Sequence, residues 1–144
     1  MPISQLQWKT LDDMLIGFIS PGQLPDEGLD LLCQELQAKP VKTYLSTSYG
    51  VVDVNSMQRK KVVDVLTGRG TKIAVVTDER LVRGIVTAAS WLGLRNVKTF
   101  AWADVTEAVG FLEPRFDVAR AVGIVMQMLE SWERSAGKKA KIAR

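Results

Sequence analysis

The chain has 144 residues, 47% of them hydrophobic, and carries 19 Lys and Arg against 16 Asp and Glu. That is enough apolar content for one core and too little length for two. With no histidine and one cysteine, Cys33, it lacks the usual general base and metal ligand, every Ser-His or Cys-His pair and any internal disulfide. The single cysteine favours a reducing cytosol, so the expected location is cytoplasmic.

No run approaches the roughly 20 apolar residues needed to span a bilayer, so no membrane span is expected. The opening Met-Pro-Ile-Ser-Gln lacks the basic head and apolar body of a secretory signal. The net charge of +3 is unevenly distributed. Arg134, Lys138, Lys139, Lys141 and Arg144 stand in the last eleven residues with no acid among them, leaving 14 basic and 16 acidic residues elsewhere, a net of −2. The basic end reads as a solvated, disordered tail over 135–144, with contact to nucleic acid or an acidic surface as its other use.

In chain order, Leu6, Trp8 and Thr10 alternate with polar residues as in a half-exposed strand. Asp12-Asp13 is a turn and Met14 to Ser20 a second strand, which together predict an opening hairpin. Pro21-Gly22 breaks it. A first helix starts near Pro25 and Asp26, carries Leu29, Leu32, Cys33 and Leu36 on one face, and ends at Lys39-Pro40. Val41 to Ser46 reads as a strand, and Ser48 to Asn55 as either a short strand or an apolar loop.

Asn55 predicts an N-cap, with Gln58 completing a capping box. Val62, Val63, Val65 and Leu66 form the buried side of that second helix, which Gly68 and Gly70 terminate. Ile73 to Val76 reads as a strand buried on both faces. Asp78 caps a helix carrying Leu81, Ile85, Ala88 and Leu92, and Gly93 stops it. Val97 to Trp102 is the last strand, and a short helix starts at Asp104 or Thr106. From Lys72 to Trp102 this is a βαβ unit, so the fold class is α/β with a mixed, mainly parallel sheet covered by helices.

The last helix spans about Phe116 to Trp132. Val118, Val122, Val125, Leu129 and Trp132 recur at spacings of four and three, which fits either packing on the domain's own sheet or a self-association seam. The expected organisation is an α/β domain over 1–113, an amphipathic helix over 114–134 and the basic tail.

Asn55-Ser-Met-Gln-Arg59, Lys72-Ile-Ala-Val-Val-Thr-Asp78, Arg83-Gly-Ile-Val-Thr-Ala88, Trp91-Leu-Gly93 and Val97-Lys-Thr-Phe100 carry a resemblance to bacterial STAS-like proteins. That superfamily includes anti-sigma-factor antagonists and the cytosolic domains of sulphate transporters. The resemblance covers about residues 5 to 112; the terminal helix and tail lie outside it. It implies a protein-binding or regulatory role in signalling or scaffolding, usually without catalysis. Antagonists carry an Asp-Ser-Ser-Gly-like switch before the second helix. Here Asp53-Val-Asn-Ser56-Met-Gln58 keeps Asp53 and Ser56 but lacks the Ser-Gly core. Ser56 is therefore a candidate phosphorylation site and equally a good first-turn residue.

Other motifs carry little chemistry. Gly68-Arg-Gly-Thr-Lys72 lacks the phosphate-loop frame and precedes a strand rather than following one. Cys33 lies among leucines and reads as core filler. Asp53 and Asp78 sit near strand ends, where open α/β sheets bind ligands, but Asp78 is accounted for as a cap. Trp91 reads as core rim.

The leading expectation is thus a non-catalytic module that binds an unidentified protein through Asn55, Gln58, Arg59, Arg83 and Trp102, and forms a homodimer through the last helix. An alternative is a small-ligand or lipid-binding domain with that helix as a lid. An enzyme is the weakest reading, since no catalytic residue, metal site or cofactor motif is identifiable.

Overall fold

The computed structural model describes residues 5–39, 41–67, 70–80, 82–84 and 96–142. Strand β1 (Leu6–Leu11) turns through Asp12-Asp13 into β2 (Met14–Ile19), and Leu11 pairs directly with Met14. Asp12 adopts φ 52° in this two-residue turn, a left-handed conformation that a short polar side chain tolerates. Short β3 (Gly22–Gln23) leads to α1 (Asp26–Ala38). Strand β4 (Thr43–Ser48), short β5 (Val52–Asp53) and α2 (Ser56–Thr67) follow, then β6 (Lys72–Thr77). After β7 (Val97–Phe100) come a 3-10 turn (Trp102–Asp104), α3 (Val105–Phe111) and α4 (Val118–Ala136).

The main sheet has five strands in the order β1-β2-β4-β6-β7, with β1 antiparallel to β2 and every other pair parallel. β3 and β5 form a separate two-stranded parallel sheet. The expected α/β class and the opening hairpin are present. The β2-to-β4 and β4-to-β6 connections move in the same direction across the sheet, so right-handed crossovers place α1 and α2 on one face. Side-chain alternation explains the layers. Leu15 of β2, Tyr44 of β4 and Ile73 of β6 point to the α1 and α2 side, joining Leu29, Leu32, Cys33 and Leu36. Met14, Ile16, Phe18, Leu45, Ala74 and Val76 point the other way and pack with Ala108, Val109, Ala121, Val125 and Leu129 of α3 and α4.

Several boundaries move. The third strand is shifted two residues toward the C-terminus of the expected 41–46, because its register follows β2 and β6: Thr43 pairs with both Met14 and Lys72. The ambiguous 48–55 segment contains β5, which exists by pairing with β3. Asp78, expected as a helix cap, also makes a tertiary contact. Its carboxylate accepts the Gly50 N–H, while Thr77 Oγ1 accepts the Glu79 N–H. The helix expected to follow it lies mostly outside the described residues, as do Leu81, Trp91 and Gly93.

The last helix begins later than Phe116, where Asp117 Oδ1 accepts the Ala119 N–H, and ends where Gly137 takes φ 68°. One core cluster contains residues from both sides of the 113/114 boundary expected from sequence. Residues 137–142, expected in a disordered tail, instead lie back against the domain: Ala140 is buried and Ile142 packs on that cluster.

Candidate partner-binding surface

The carboxyl edge of the parallel strands is where an α/β sheet ordinarily offers a ligand crevice, at the point where strand order reverses. Here the order never reverses. The edge is occupied by the chain's own connections. Trp102, expected as an exposed anchor, is only 4% accessible. Its indole Nε1 donates to the Ser48 carbonyl at 2.9 Å and its ring meets Phe18 edge-on at 6.3 Å. The 3-10 turn after β7 folds the indole inward over the strand ends. Trp102 is therefore a core residue and is withdrawn from the binding set.

The loop between β4 and β5 is held across the same edge. Gly50 N–H donates to Asp78 Oδ1 at 2.9 Å, and Val52 N–H to Glu79 Oε1 at 3.0 Å. Gly50 has φ +72°, and a Cβ there would meet Pro21 Cγ at 2.7 Å. Glycine is required on both counts. On the other side, Gly22 N–H donates to Val51 O and Leu24 N–H to Asp53 O. The backbone of 50–53 is thus anchored on two flanks.

This anchoring continues into α2. Asn55 Oδ1 accepts the Gln58 N–H at 2.8 Å and Gln58 Oε1 accepts the Asn55 N–H at 3.1 Å, a reciprocal capping box. Gln58 does more than cap. Its Nε2 donates to Leu24 O and to Asp26 Oδ1, each at 2.8 Å, tying α2 to the start of α1. Gln58 is buried, so it cannot contact a partner directly, and it too leaves the expected binding set. A further tie joins the two helices through Lys61 and Asp30, whose hydrogen bond raises the pKa of the lysine ammonium.

Asn55, Ser56 and Arg59 are exposed as expected, and Arg83 is half-buried in a helical stretch. Sequence reasoning missed the apolar partners of this surface. Val51 is 71% accessible and Met57 81%, and both flank the fixed β5–Asn55 segment. An apolar residue beside a predicted strand or helix reads as core by default; no sequence signal marks these two as outward-facing.

The expected seam on the last helix is used in part internally. Val125 and Leu129 are fully buried, and Val118, Val122 and Trp132 are half-buried against the same cluster. Their spacing fits packing on the sheet, and Val125 and Leu129 have no surface left for a second contact. The helix also does not roof an empty space: Ala121, Val125 and Leu129 have no accessible surface and sit in one cluster with Phe18 and Leu45.

Among the described residues, two buried groups have raised pKa values. Burial pushes the Cys33 thiol up, with the Lys61 ammonium acting against it, and burial likewise raises the Tyr44 phenol. A raised thiol pKa means less thiolate and less nucleophilicity. Among the described residues no group of His, Cys, Asp and Glu could hold a metal ion, and no helix is long and apolar enough to cross a membrane. The chain matches no protein-family model, no curated protein and no solved structure.

Proposed function

We propose that this protein is a non-catalytic, STAS-like binding module that engages another protein through the β5–α2 segment, residues 51–59. The observation that carries the reading is the exposure of Val51 and Met57 on a backbone immobilised by Asp78, Glu79 and the Asn55–Gln58 box. Single exposed apolar residues are ordinary on a protein surface. Two on one pre-ordered segment are better suited to binding, because little conformational entropy remains to be lost on association.

Exposed Ser56 and Arg59 supply a polar rim beside Met57. Ser56, in the first turn of α2, is also open to modification, and phosphate there would meet a favourable helix end. The hairpin-led mixed sheet is compatible with the STAS-like resemblance in the sequence. The partner in this reading is a different protein, and the buried residues of the last helix take no part in the contact.

The test compares the wild-type chain with a Val51→Asp, Met57→Asp double variant as baits in a lysate of the source organism. Both changes lie on exposed side chains, so the thermal midpoints should agree. A protein retained by the wild-type chain and lost by the variant is the expected result. Equal retention by both, or by neither, would sink the proposal.

A further inference from the structure

The C-terminal segment is held by contacts unlike those of a solvated tail. Gly137 stops α4 in the left-handed conformation, φ 68°, with its N–H and that of Lys138 both on the Glu133 carbonyl. The chain then doubles back. Ala140 N–H donates to the buried carboxylate of Glu133 at 2.6 Å, and Lys141 N–H donates to the Tyr49 hydroxyl at 2.9 Å. Lys138 Nζ stands 5.9 Å from the centre of the Trp132 ring, which itself packs on Tyr49 at 5.2 Å. Ala140 is buried and Ile142 packs on the core. Residues 138–142 therefore form a strap over the Tyr49–Trp132 pair.

The same residues are suited to a second arrangement. Lys138, Lys139, Ala140 and Lys141 are good helix formers. The αL conformation of Gly137, together with the docking contacts of Ala140, Lys141 and Ile142, keeps them from continuing α4. If Gly137 turned to the right-handed region, the strap would become another turn of helix and its N–H groups would bond to carbonyls one turn back. The lysines would then lie at the helix C-terminus, where positive charge is favoured. Tyr49 would lose the Lys141 N–H and the aromatic pair would be uncovered. Tyr49 immediately precedes Gly50, so the strap is attached to the root of the anchored 50–53 loop.

We propose that residues 138–142 are a switchable strap, hinged at Gly137, that in its docked state covers Tyr49 and Trp132 and in its released state extends α4. Docking is retained by Ala140, Ile142 and the two amide hydrogen bonds; release is favoured by helix propensity and charge. The two states differ in the backbone of residues 137–142 and in those contacts, with Gly137 as the pivot, so a bias at the pivot moves the population.

The hinge can be biased without steric damage. A Cβ at Gly137 meets nothing within 4 Å, so Gly137→Ala acts only through the conformational penalty of alanine in the left-handed region. Asparagine tolerates that region and serves as the control.

The experiment is amide hydrogen exchange by NMR on the full chain, with no partner present, so its outcome is independent of the proposed function. In Gly137→Ala the Ala140 and Lys141 amides should exchange about 5- to 30-fold faster. Helical chemical shifts should appear over 138–142, while Val125 and Leu129 keep their rates. Gly137→Asn should stay close to wild type. Tyr49→Phe, which removes the hydroxyl acceptor, should accelerate Lys141 without altering the hinge. Unchanged exchange in Gly137→Ala, acceleration without helical shifts, equal acceleration at Leu129, or an unaffected Lys141 in Tyr49→Phe would each overturn the strap.

Discussion

Asp78 and Gly50 are joined across the carboxyl edge of the sheet, the Asp78 carboxylate accepting the Gly50 N–H at 2.9 Å. The bond connects the end of β6 to the loop after β4, two neighbouring parallel strands. It places a backbone that needs a left-handed glycine where it leads into the exposed residues of the candidate surface. Asp78→Ala should cost about 1 kcal/mol, the net value of one such hydrogen bond. Denaturant titration measures the loss. Amide exchange at Gly50 and Val52 should accelerate more than exchange in β6; a uniform change would show that the bond does not hold the loop.

Gln58 is the more critical polar residue. It closes the capping box and also satisfies the Leu24 carbonyl in a buried position. Gln58→Leu removes both, leaving that carbonyl without its donor, for an expected loss of about 2–4 kcal/mol. Gln58→Glu keeps the acceptor for the Asn55 N–H and places a carboxylate near Asp26 in place of the amide donor. It should be no less damaging. Chemical denaturation of the two variants checks this, and wild-type stability in either would remove Gln58 from the structural hub.

The last helix completes the core. Leu129→Ala should destabilise by about 2–5 kcal/mol, as for other fully buried leucines. A chain ending before Phe116 would expose Phe18, Leu45 and Val76 of the sheet and should aggregate. Light scattering after size exclusion distinguishes this from a seam, which would yield a soluble monomer from a dimer.

Alkaline pH should weaken the fold. Burial raises both the Cys33 thiol above its ordinary 9.0 and the Tyr44 phenol above its ordinary 10.0. The unfolded chain therefore releases these protons first as pH rises. Their contribution is complete below the ordinary values and is lost as pH climbs through 9 and 10 toward the raised folded values. Thermal midpoints between pH 8 and 11 should fall accordingly. Tyr44→Phe should flatten the upper part of the decline, and Cys33→Ala the lower part. A decline identical in both variants would assign the effect to other groups.

Local patterns carried much of the architecture. The apolar run at Ile73–Val76 marked a strand buried on both faces, the Asp12-Asp13 pair marked the hairpin, and Asn55 with Gln58 marked the start of α2, because caps, turns and periodicity are decided by neighbours in the chain. The surface was less legible. Asn55, Ser56 and Arg59 are where expected, whereas Trp102 and Gln58 are inside and Val51 and Met57 outside.

What the sequence by itself determined, then, was the α/β class, the hairpin opening and the amphipathic character of the last helix. Which way each ambivalent side chain faces was decided only by tertiary structure. Trp102 is buried because the turn after β7 brings its indole to the Ser48 carbonyl, 54 positions away, and the strap is ordered because Tyr49 lies 92 positions before Lys141 yet within hydrogen-bond reach. Contacts at such separations leave no period or spacing in the chain, since the residues that make them are neighbours only after the sheet has assembled.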